Sequence, residues 1–357
     1  MLRQMMRVRA ARARFLPPRE AMANPVLIEV TRGPLVESWH RGAVAVAAPS
    51  GALALGLGDV ERPVYPRSAI KALQALPLIE TGTADRFGFG AAEIALACGS
   101  HAGTERQAAL ASSMLQRAGL TADALHCGAH APLGASAANA LIARGEAPTQ
   151  LHNNCSGKHA GMLATAVHLD EPVAGYWEPG HNVQQRIQRA LAEMSGVALG
   201  ADVQGIDGCS VPNWAMPLSV LARTFARLAT GQGLALERRQ ALRRILEACW
   251  ENPELVAGRG RADTVVMRAL PGQVFMKTGA EGVYCGAFPA LGLGFALKID
   301  DGGKRASAGA AMALVERFYP AARGLMPYGE IKTWWGVEVG SIRSAAPFED
   351  ALDKLKI

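Results

Sequence analysis

Ser68 and Lys71 form the pair of side chains whose types and spacing point most directly to chemistry. They stand at the head of an apolar run that predicts a helix, where residues three apart share a face and an amine can reach a hydroxyl. Serine becomes a nucleophile when a base takes its proton, and lysine can be that base once burial near another cation lowers its pKa. The spacing therefore indicates a Ser-x-x-Lys catalytic pair. The alternative is a helix cap at Ser68 with Lys71 in solvent.

A second signal lies far down the chain, where Lys277-Thr278-Gly279 ends an extended run at 273–276. A Lys-Thr-Gly strand that faces a Ser-x-x-Lys helix is the arrangement found in penicillin-recognising serine enzymes. Arg67 and Lys277 are also the candidate cations that would lower the pKa of Lys71. Each signal is weak alone, but together and in this order they indicate a serine hydrolase site.

Reactive side chains are also dense at 152–162, where a loop meets a predicted helix. Cys155 and His159 fall four apart on one face of that helix, and a tight turn at 206–212 adds the thiol of Cys209. The spacing alone leaves three interpretations open. Cys155, His159 and Cys209 can form a zinc site with one open position; the thiols can be buried without a metal; or Cys155 can be a nucleophile with His159 as its base.

The amino-acid composition limits the classes of partner that this chain can bind. The chain has 357 residues, and half of them are hydrophobic. Six arginines and one glutamate give residues 1–21 a charge of +5, which leaves +1 of the total +6 for the remainder. We therefore expect no nucleic-acid partner. Because no apolar run is long enough to cross a bilayer, we expect a soluble globular protein without a membrane partner.

The first 22 residues form a basic, acid-poor segment without the apolar core of a secretory signal. We interpret this segment as a disordered or mis-assigned extension, and the start codon can be Met1 or Met22. Six cysteines are scattered without the paired spacing of a disulfide framework. These features predict a reducing, cytoplasmic location.

The chain order is strands, a long helical stretch, strands and a final helix, which predicts an α+β fold. The strands at 23–66 and 264–340 are expected to form one antiparallel sheet flanked by helices, with residues 67–263 as a large helical insert. Together they would make a single domain at 23–340 with the site at the seam between the two lobes. We expect residues 341–357 to be a C-terminal tail.

Taken together, the motifs resemble the Rhizobium-type L-asparaginase II family over nearly the whole chain. The resemblance implies a fold like that of serine β-lactamases, penicillin-binding proteins and glutaminases. It also implies a homodimer that hydrolyses L-asparagine to L-aspartate and ammonia. The segments that carry the resemblance are Pro66-Arg67-Ser68-Ala69-Ile70-Lys71, Cys98-Gly99-Ser100-His101, Asn153-Asn154-Cys155-Ser156-Gly157-Lys158-His159, Gly205-Ile206-Asp207-Gly208-Cys209 and Lys277-Thr278-Gly279.

The resemblance also implies roles for individual residues. Ser100, which by itself lies in an ordinary turn, becomes the partner of Lys277 beside the pair Ser68 and Lys71. Either serine can attack, and Ser68 is the expected nucleophile. The residues implied in substrate binding are Arg67, His101, Asp207 and His159. The residues implied in zinc binding are Cys155, Lys158 and Cys209, with His159 as a further candidate.

Three rival functions stay open at this point. A glutaminase or other amidase of the same fold is hard to exclude, because one methylene group in a pocket is worth only about 1–3 kcal/mol. A penicillin-recognising serine hydrolase shares both lysine motifs, but this sequence has no Ser-Asp-Asn motif and no export signal. The third rival is an inactive scaffold that zinc stabilises.

Overall fold

The computed structural model describes residues 23–326 and 329–355 of the chain. The predicted basic extension at 1–22 lies outside these residues. Every helix within the described ranges is too short or too polar to traverse a bilayer.

The strands of the described chain belong to one large sheet and two small two-stranded ribbons. In chain order they are β1 Val26–Arg32, β2 Leu35–Ala47, β3 Leu53–Leu57, β4 Pro63–Val64, β5 Gln204–Ile206, β6 Pro212–Trp214, β7 Met216–Pro217, β8 Phe275–Thr278, β9 Val283–Phe288, β10 Leu293–Ile299, β11 Glu330–Lys332 and β12 Glu338–Ser344. The large sheet runs β11-β12-β1-β2-β10-β9-β8, with β3 also paired to β2.

Each pairing in the large sheet is antiparallel, and strands from both ends of the chain meet in it. The long strand β2 joins them, because its first half pairs with β1 and its second half pairs with β10. The predicted α+β fold with a mixed N- and C-terminal antiparallel sheet is therefore confirmed. The stretch between β4 and β8 is mainly helical, as expected for the insert.

The helices of the described chain surround this sheet and fill the insert. They are α1 Lys71–Gln74, α2 Leu76–Glu80, α3 Thr83–Arg86, α4 Ala91–Ala97, α5 Glu105–Arg117, α6 Ala135–Ala143, α7 Ser156–His168, α8 Asn182–Ser195, α9 Leu218–Thr230, α10 Leu236–Glu251, α11 Pro253–Val256, α12 Ala262–Ala269, α13 Lys304–Phe318 and α14 Ala346–Asp353. A 3₁₀ turn, Arg67–Ile70, leads directly into α1.

Both faces of the central strands are buried, which explains their almost uninterrupted apolar sequences. Alternate residues of β2 contribute to two separate clusters: Ala45 faces the core shared with α9, and Val44 faces the core shared with α13. Gly294 in β10 lets α9 lie directly on the sheet, because a Cβ atom there would collide with the helix backbone around Ala226. The sheet is thus a rigid platform between two helical layers.

The predicted first long helix is wrong. Ser68 lies in the 3₁₀ turn, and only four residues of α-helix follow before the chain bends at Ala75 into α2. Pro77 explains the break, since proline belongs to the first turn of a new helix and cannot continue an existing one.

The predicted C-terminal tail is also wrong for residues 341–355. β12 pairs with β1, and α14 follows it with Phe348 completely buried in the sheet's outer core. The physical reason is that β12 pairs with the backbone groups along one edge of β1, and α14 buries the apolar face below that strand. The end of the domain is therefore part of the sheet lobe.

Candidate active site

Lys277 and Ser100 meet in the interior of the protein. Ser100 lies just beyond α4, and Lys277 lies on β8 at the edge of the large sheet. The Lys277 Nζ atom donates a 3.0 Å hydrogen bond to Ser100 Oγ and a 2.8 Å bond to the carbonyl of Thr278. Lys277 is fully buried and Ser100 is only 4% exposed. This is the contact between a nucleophile and its base that general-base catalysis needs.

The surroundings of Lys277 favour its neutral form. Its pKa is lowered to about 7, chiefly by burial and also by the charges of Lys71 and Arg261, while Asp263 and Cys155 act in the opposite direction. An amine with a pKa near neutrality can accept a proton from serine and return it within one turnover.

Ser68 approaches the same site from the 3₁₀ turn. The turn lies against the end of β8, where a Cβ atom on Gly279 would come within 2.7 Å of the Pro66 carbonyl. Arg67 has a left-handed backbone with φ of 53°, which is uncommon for a residue other than glycine. The glycine of the Lys-Thr-Gly motif therefore admits the Ser68 turn, and the strained Arg67 backbone sets the turn's direction.

Lys71 is fully buried beside this turn. Its Nζ atom donates to the backbone carbonyls of Gly99 and Asn154, and neither bond goes to Ser68. Because Gly99 immediately precedes Ser100, Lys71 ties the loop of the second serine to the start of α7.

A cleft of about 570 Å³ opens in front of the two serines. Its lining residues are Ser68, Ser100, Ala102, Leu133, Gly134, Ala135, Asn154, Gly258, Arg259, Gly260, Arg261, Ala262, Asp263, Thr278, Gly279, Ala280, Tyr284, Lys304 and Ala308. The size suits a small polar molecule, and both serines line the same cleft.

Arg67 and Asp207 form an ion pair beside the cleft. The guanidinium contacts Asp207 Oδ1 at 2.8 Å, and the backbone N–H of Gly208 donates to the same oxygen. Burial alone would raise the pKa of Asp207, but Lys158, Arg67 and the hydrogen bonds together lower it. Asp207 is therefore a stable anion. Arg67 also lines a separate cavity of about 220 Å³.

Cys155, Lys158 and Cys209 come together at the base of α7. Lys158 Nζ donates a 3.1 Å hydrogen bond to Cys209 Sγ, and all three residues are at most 5% exposed. A hydrogen bond from Cys155, together with the charge of Lys158, holds the pKa of Cys209 well below its ordinary value despite burial. The hydrogen bond and burial raise the pKa of Cys155 to about 12. Cys155 is thus a neutral thiol, which argues against its interpretation as a nucleophile.

His101 and His159 are both fully buried. His101 accepts from the Gly103 N–H through Nδ1 and contacts Ser156 Oγ through Nε2 at 2.9 Å, so it joins the Ser100 loop to α7. His159 Nδ1 lies 2.7 Å from the Tyr176 hydroxyl. Burial lowers the pKa of each imidazole to about 3, and both rings are therefore neutral.

The sequence matches the family model described as L-asparaginase II over residues 28–344. The chain belongs to the L-asparaginase II family. Members of this family are amidohydrolases that act on small-molecule amides. No curated protein matches the sequence significantly.

Solved structures provide more distant comparisons for this L-asparaginase II family member. Mglu in its native form gives a TM-score of 0.44 at 17% identity, covering 78% of this chain and 64% of that chain. A β-lactamase from Mycobacterium bovis gives a TM-score of 0.34 at 14% identity, covering 79% of this chain and 92% of that chain. The chain therefore spans less than two thirds of the length of Mglu.

Two charged residues of the cleft lining, Arg261 and Asp263, lie outside the L-asparaginase II motifs, which contain Ser68, Ser100, Asn154, Thr278 and Gly279 of that lining. Arg261 donates to the Ser100 carbonyl at 3.0 Å, and Asp263 accepts from the Thr278 N–H at 2.6 Å. The sequence signal that could have pointed to both residues is the glycine- and arginine-rich run at 258–261. It directly precedes a helix that has an aspartate in its first turn.

Proposed function

We propose that this protein hydrolyses L-asparagine to L-aspartate and ammonia with a serine nucleophile that a lysine activates. The observation that carries the proposal is the 3.0 Å bond between Lys277 Nζ and Ser100 Oγ at the wall of the cleft. Family membership supplies the amidohydrolase class, and the size of the cleft suits an amino acid.

The proposed steps use Lys277 twice. Neutral Lys277 takes the hydroxyl proton of Ser100 while Oγ attacks the side-chain amide carbon, giving a tetrahedral oxyanion. When the C–N bond breaks, the Lys277 ammonium gives its proton to the leaving ammonia, and the aspartyl group remains as an ester on Ser100. Water then attacks the ester, with Lys277 again taking a proton and returning it to Ser100, and L-aspartate leaves.

Ser68 and Lys71 form the second pair in this proposal. This assignment reverses the expected roles, because Ser100 has a hydrogen-bonded amine whereas both bonds of Lys71 go to carbonyls. Lys71 then holds Ser100 in position through Gly99, and the Ser68 hydroxyl contacts the substrate from the opposite wall of the cleft. The substrate-binding roles of Arg67, His101, Asp207 and His159 stay predictions. The complete burial of the two imidazoles favours a supporting role for them.

Zinc is part of the proposal, with Cys155, Lys158 and Cys209 as its ligands. Their chemistry fits, since a low-pKa thiolate, a second thiol and an amine lie close together in a buried cluster. Lys158 is preferred to His159 as a ligand because Lys158 Nζ already contacts Cys209 Sγ at 3.1 Å, whereas His159 Nδ1 contacts the Tyr176 hydroxyl. When bound, the ion would supply a positive charge that orients substrate. The ion would displace the proton that Lys158 carries.

A homodimer in the cytoplasm also remains a proposal that rests on the family resemblance. The exposed helix α6 supports a subunit contact, because Ile142 is 75% exposed and the preceding Leu133 is 53% exposed. Sedimentation equilibrium of the purified protein would give the mass of the assembly directly. A monomer at micromolar concentration would contradict the proposed homodimer.

The test is ammonia release from L-asparagine and L-glutamine by wild type, Ser100→Ala and Ser68→Ala. We expect asparagine to be the better substrate. Ser100→Ala should lose at least about a thousandfold in kcat, because the covalent route depends on its hydroxyl. Ser112→Ala, on α5 outside the cleft, is the control.

The other outcomes of this test separate the rivals. A preference for glutamine would indicate the glutaminase alternative, and acylation by a labelled penicillin would indicate the penicillin-recognising one. An inactive wild type that binds zinc in stoichiometric amount would indicate the scaffold.

A further inference from the structure

Asp263 is an acidic side chain on the wall of the cleft. Among the described residues that line the cleft, the other charged side chains are the cations Arg259, Arg261 and Lys304, and Asp263 is the only anion. A ligand that fits this wall carries negative charge and a single positive group. The presence of a single carboxylate among three cations therefore needs a physical explanation.

The carboxylate of Asp263 is buried, and only one of its two oxygens has a hydrogen-bond partner among the described residues. The residue is 1% exposed in the first turn of α12. Its Oδ1 atom accepts the 2.6 Å hydrogen bond from Thr278 N–H. Within the described residues, Oδ2 has no hydrogen-bond partner. This oxygen is not among the fully enclosed polar atoms without a partner, so it keeps a small exposed area, and Asp263 lines the cleft. A carboxylate oxygen in that position can accept from a cation or a donor in the cleft.

The neighbouring cations of the protein do not supply that partner. Lys277 directs its bonds to Ser100 and Thr278, and Arg261 donates to the Ser100 carbonyl. Among the described residues, no ion pair joins either cation to Asp263. The pKa of Lys277 is also lowered to about 7, chiefly by burial, so a substantial share of its amines is uncharged at neutral pH. The negative charge of Asp263 is therefore available to a ligand in the cleft.

We propose that Asp263 binds the α-ammonium group of the substrate and so selects free amino-acid amides. This inference rests on the proposed function and names the recognition element of the same cleft. The cations Arg259, Arg261 and Lys304, which line the same cleft, then attract the α-carboxylate. A free amino acid carries both charges, whereas N-acylated or deaminated amides lack the positive one and leave Asp263 unpaired.

Succinamic acid isolates this interaction, because it is asparagine without the α-ammonium group. Losing one charge-assisted hydrogen bond in a buried site corresponds to about a tenfold to hundredfold change. The wild type should therefore prefer asparagine over succinamic acid by at least that factor in kcat/KM.

Asp263→Asn removes the charge and keeps an oxygen for the Thr278 N–H, so the contact between α12 and β8 can persist. We expect kcat/KM for asparagine to fall about tenfold to hundredfold, mainly through KM. For succinamic acid it should change less than about threefold, since that substrate makes no such contact. Asp123→Asn, an exposed first-turn aspartate outside the cleft, is the control and should change neither value.

An equal fall for both substrates would overturn the proposal, because it would mean that Asp263 acts only on Lys277 or on local structure. An unchanged value for asparagine would overturn it as well. The thermal unfolding midpoint of Asp263→Asn shows whether the variant is folded.

Calorimetric binding of L-aspartate and succinate separates this inference from the proposed reaction, because it needs no turnover. The two ligands differ only in the ammonium group. We expect wild type to bind L-aspartate more tightly and Asp263→Asn to remove the difference. An inactive wild type with this preference would support the role of Asp263 and refute the asparaginase proposal. Equal binding of the two ligands by wild type would refute the role of Asp263.

Discussion

Lys277 Nζ contacts Ser100 Oγ at 3.0 Å across 177 positions of sequence, with both side chains buried. One residue comes from the sheet lobe and the other from the helical insert. The proposed catalytic contact therefore exists only when the two lobes are assembled, so activity through it would depend on the seam between them.

The first prediction concerns pH. Because burial lowers the pKa of Lys277 to about 7, the neutral amine is scarce below that pH and dominant above it. We expect kcat/KM for asparagine to fall about tenfold per pH unit below 6 and to level off above 8. Steady-state rates at saturating zinc from pH 5 to 9 would measure this.

Lys298→Met is the matched control for this profile. Burial also lowers the pKa of Lys298, but that residue lies outside the cleft. The variant should keep the wild-type profile, whereas Lys277→Arg should be inactive throughout. A flat wild-type profile would count against Lys277 as the base.

The second prediction concerns the metal. We expect Cys209→Ala to lose stoichiometric zinc, and Cys127→Ala to keep it because that buried thiol instead contacts the Gln150 carbonyl. Burial would lower the pKa of Lys158, but the thiolate of Cys209 raises it above its usual value. Zinc must displace that proton, so its affinity should increase with pH.

Competition with a chelator at pH 6, 7.5 and 9 would measure the zinc affinity. An affinity independent of pH would mean that Lys158 is not a ligand. Zinc retained by Cys209→Ala would exclude Cys155, Lys158 and Cys209 as the zinc-binding site.

The third prediction concerns the strained turn before Ser68. Arg67→Gly and Arg67→Ala both remove the ion pair with Asp207, but only glycine relieves the backbone at φ of 53°. We expect the glycine variant to be more stable than the alanine variant by about 1 kcal/mol. Urea unfolding would measure the difference, and equal stabilities would mean that the turn stores no strain.

The fourth prediction concerns the C-terminal helix. Phe348 is fully buried in the core beneath β1, so Phe348→Ala should lower the free energy of unfolding by about 3–5 kcal/mol. Trp335→Ala is the control from the same part of the chain, because Trp335 is 93% exposed and should change stability by less than about 0.5 kcal/mol. Similar urea midpoints for Phe348→Ala and Trp335→Ala would show that α14 contributes little to the free energy of unfolding.

Local sequence determined much of the architecture. The apolar runs at 43–48 and 52–57, joined by Ser50-Gly51, predict a hairpin, and β2 and β3 form it. The helical periodicity predicts helices at 217–230 and 236–250, within a residue of the observed ends of α9 and α10. These features depend on side-chain period and turn chemistry, which are properties of neighbouring residues. The motifs likewise identified the family, because residue type and order are what a family shares.

Tertiary structure decided the partner of each reactive group. The spacing of Ser68 and Lys71 predicted a bond between them, yet the folded chain directs the bonds of Lys71 to Gly99 and Asn154. Asp263 has no distinguishing feature in the sequence, because an acid in a first helical turn is ordinary until its surroundings are known. Burial and contacts between distant segments set the pKa of each amine and the hydrogen bonds of each carboxylate oxygen, and those properties arise only when the two lobes are folded together.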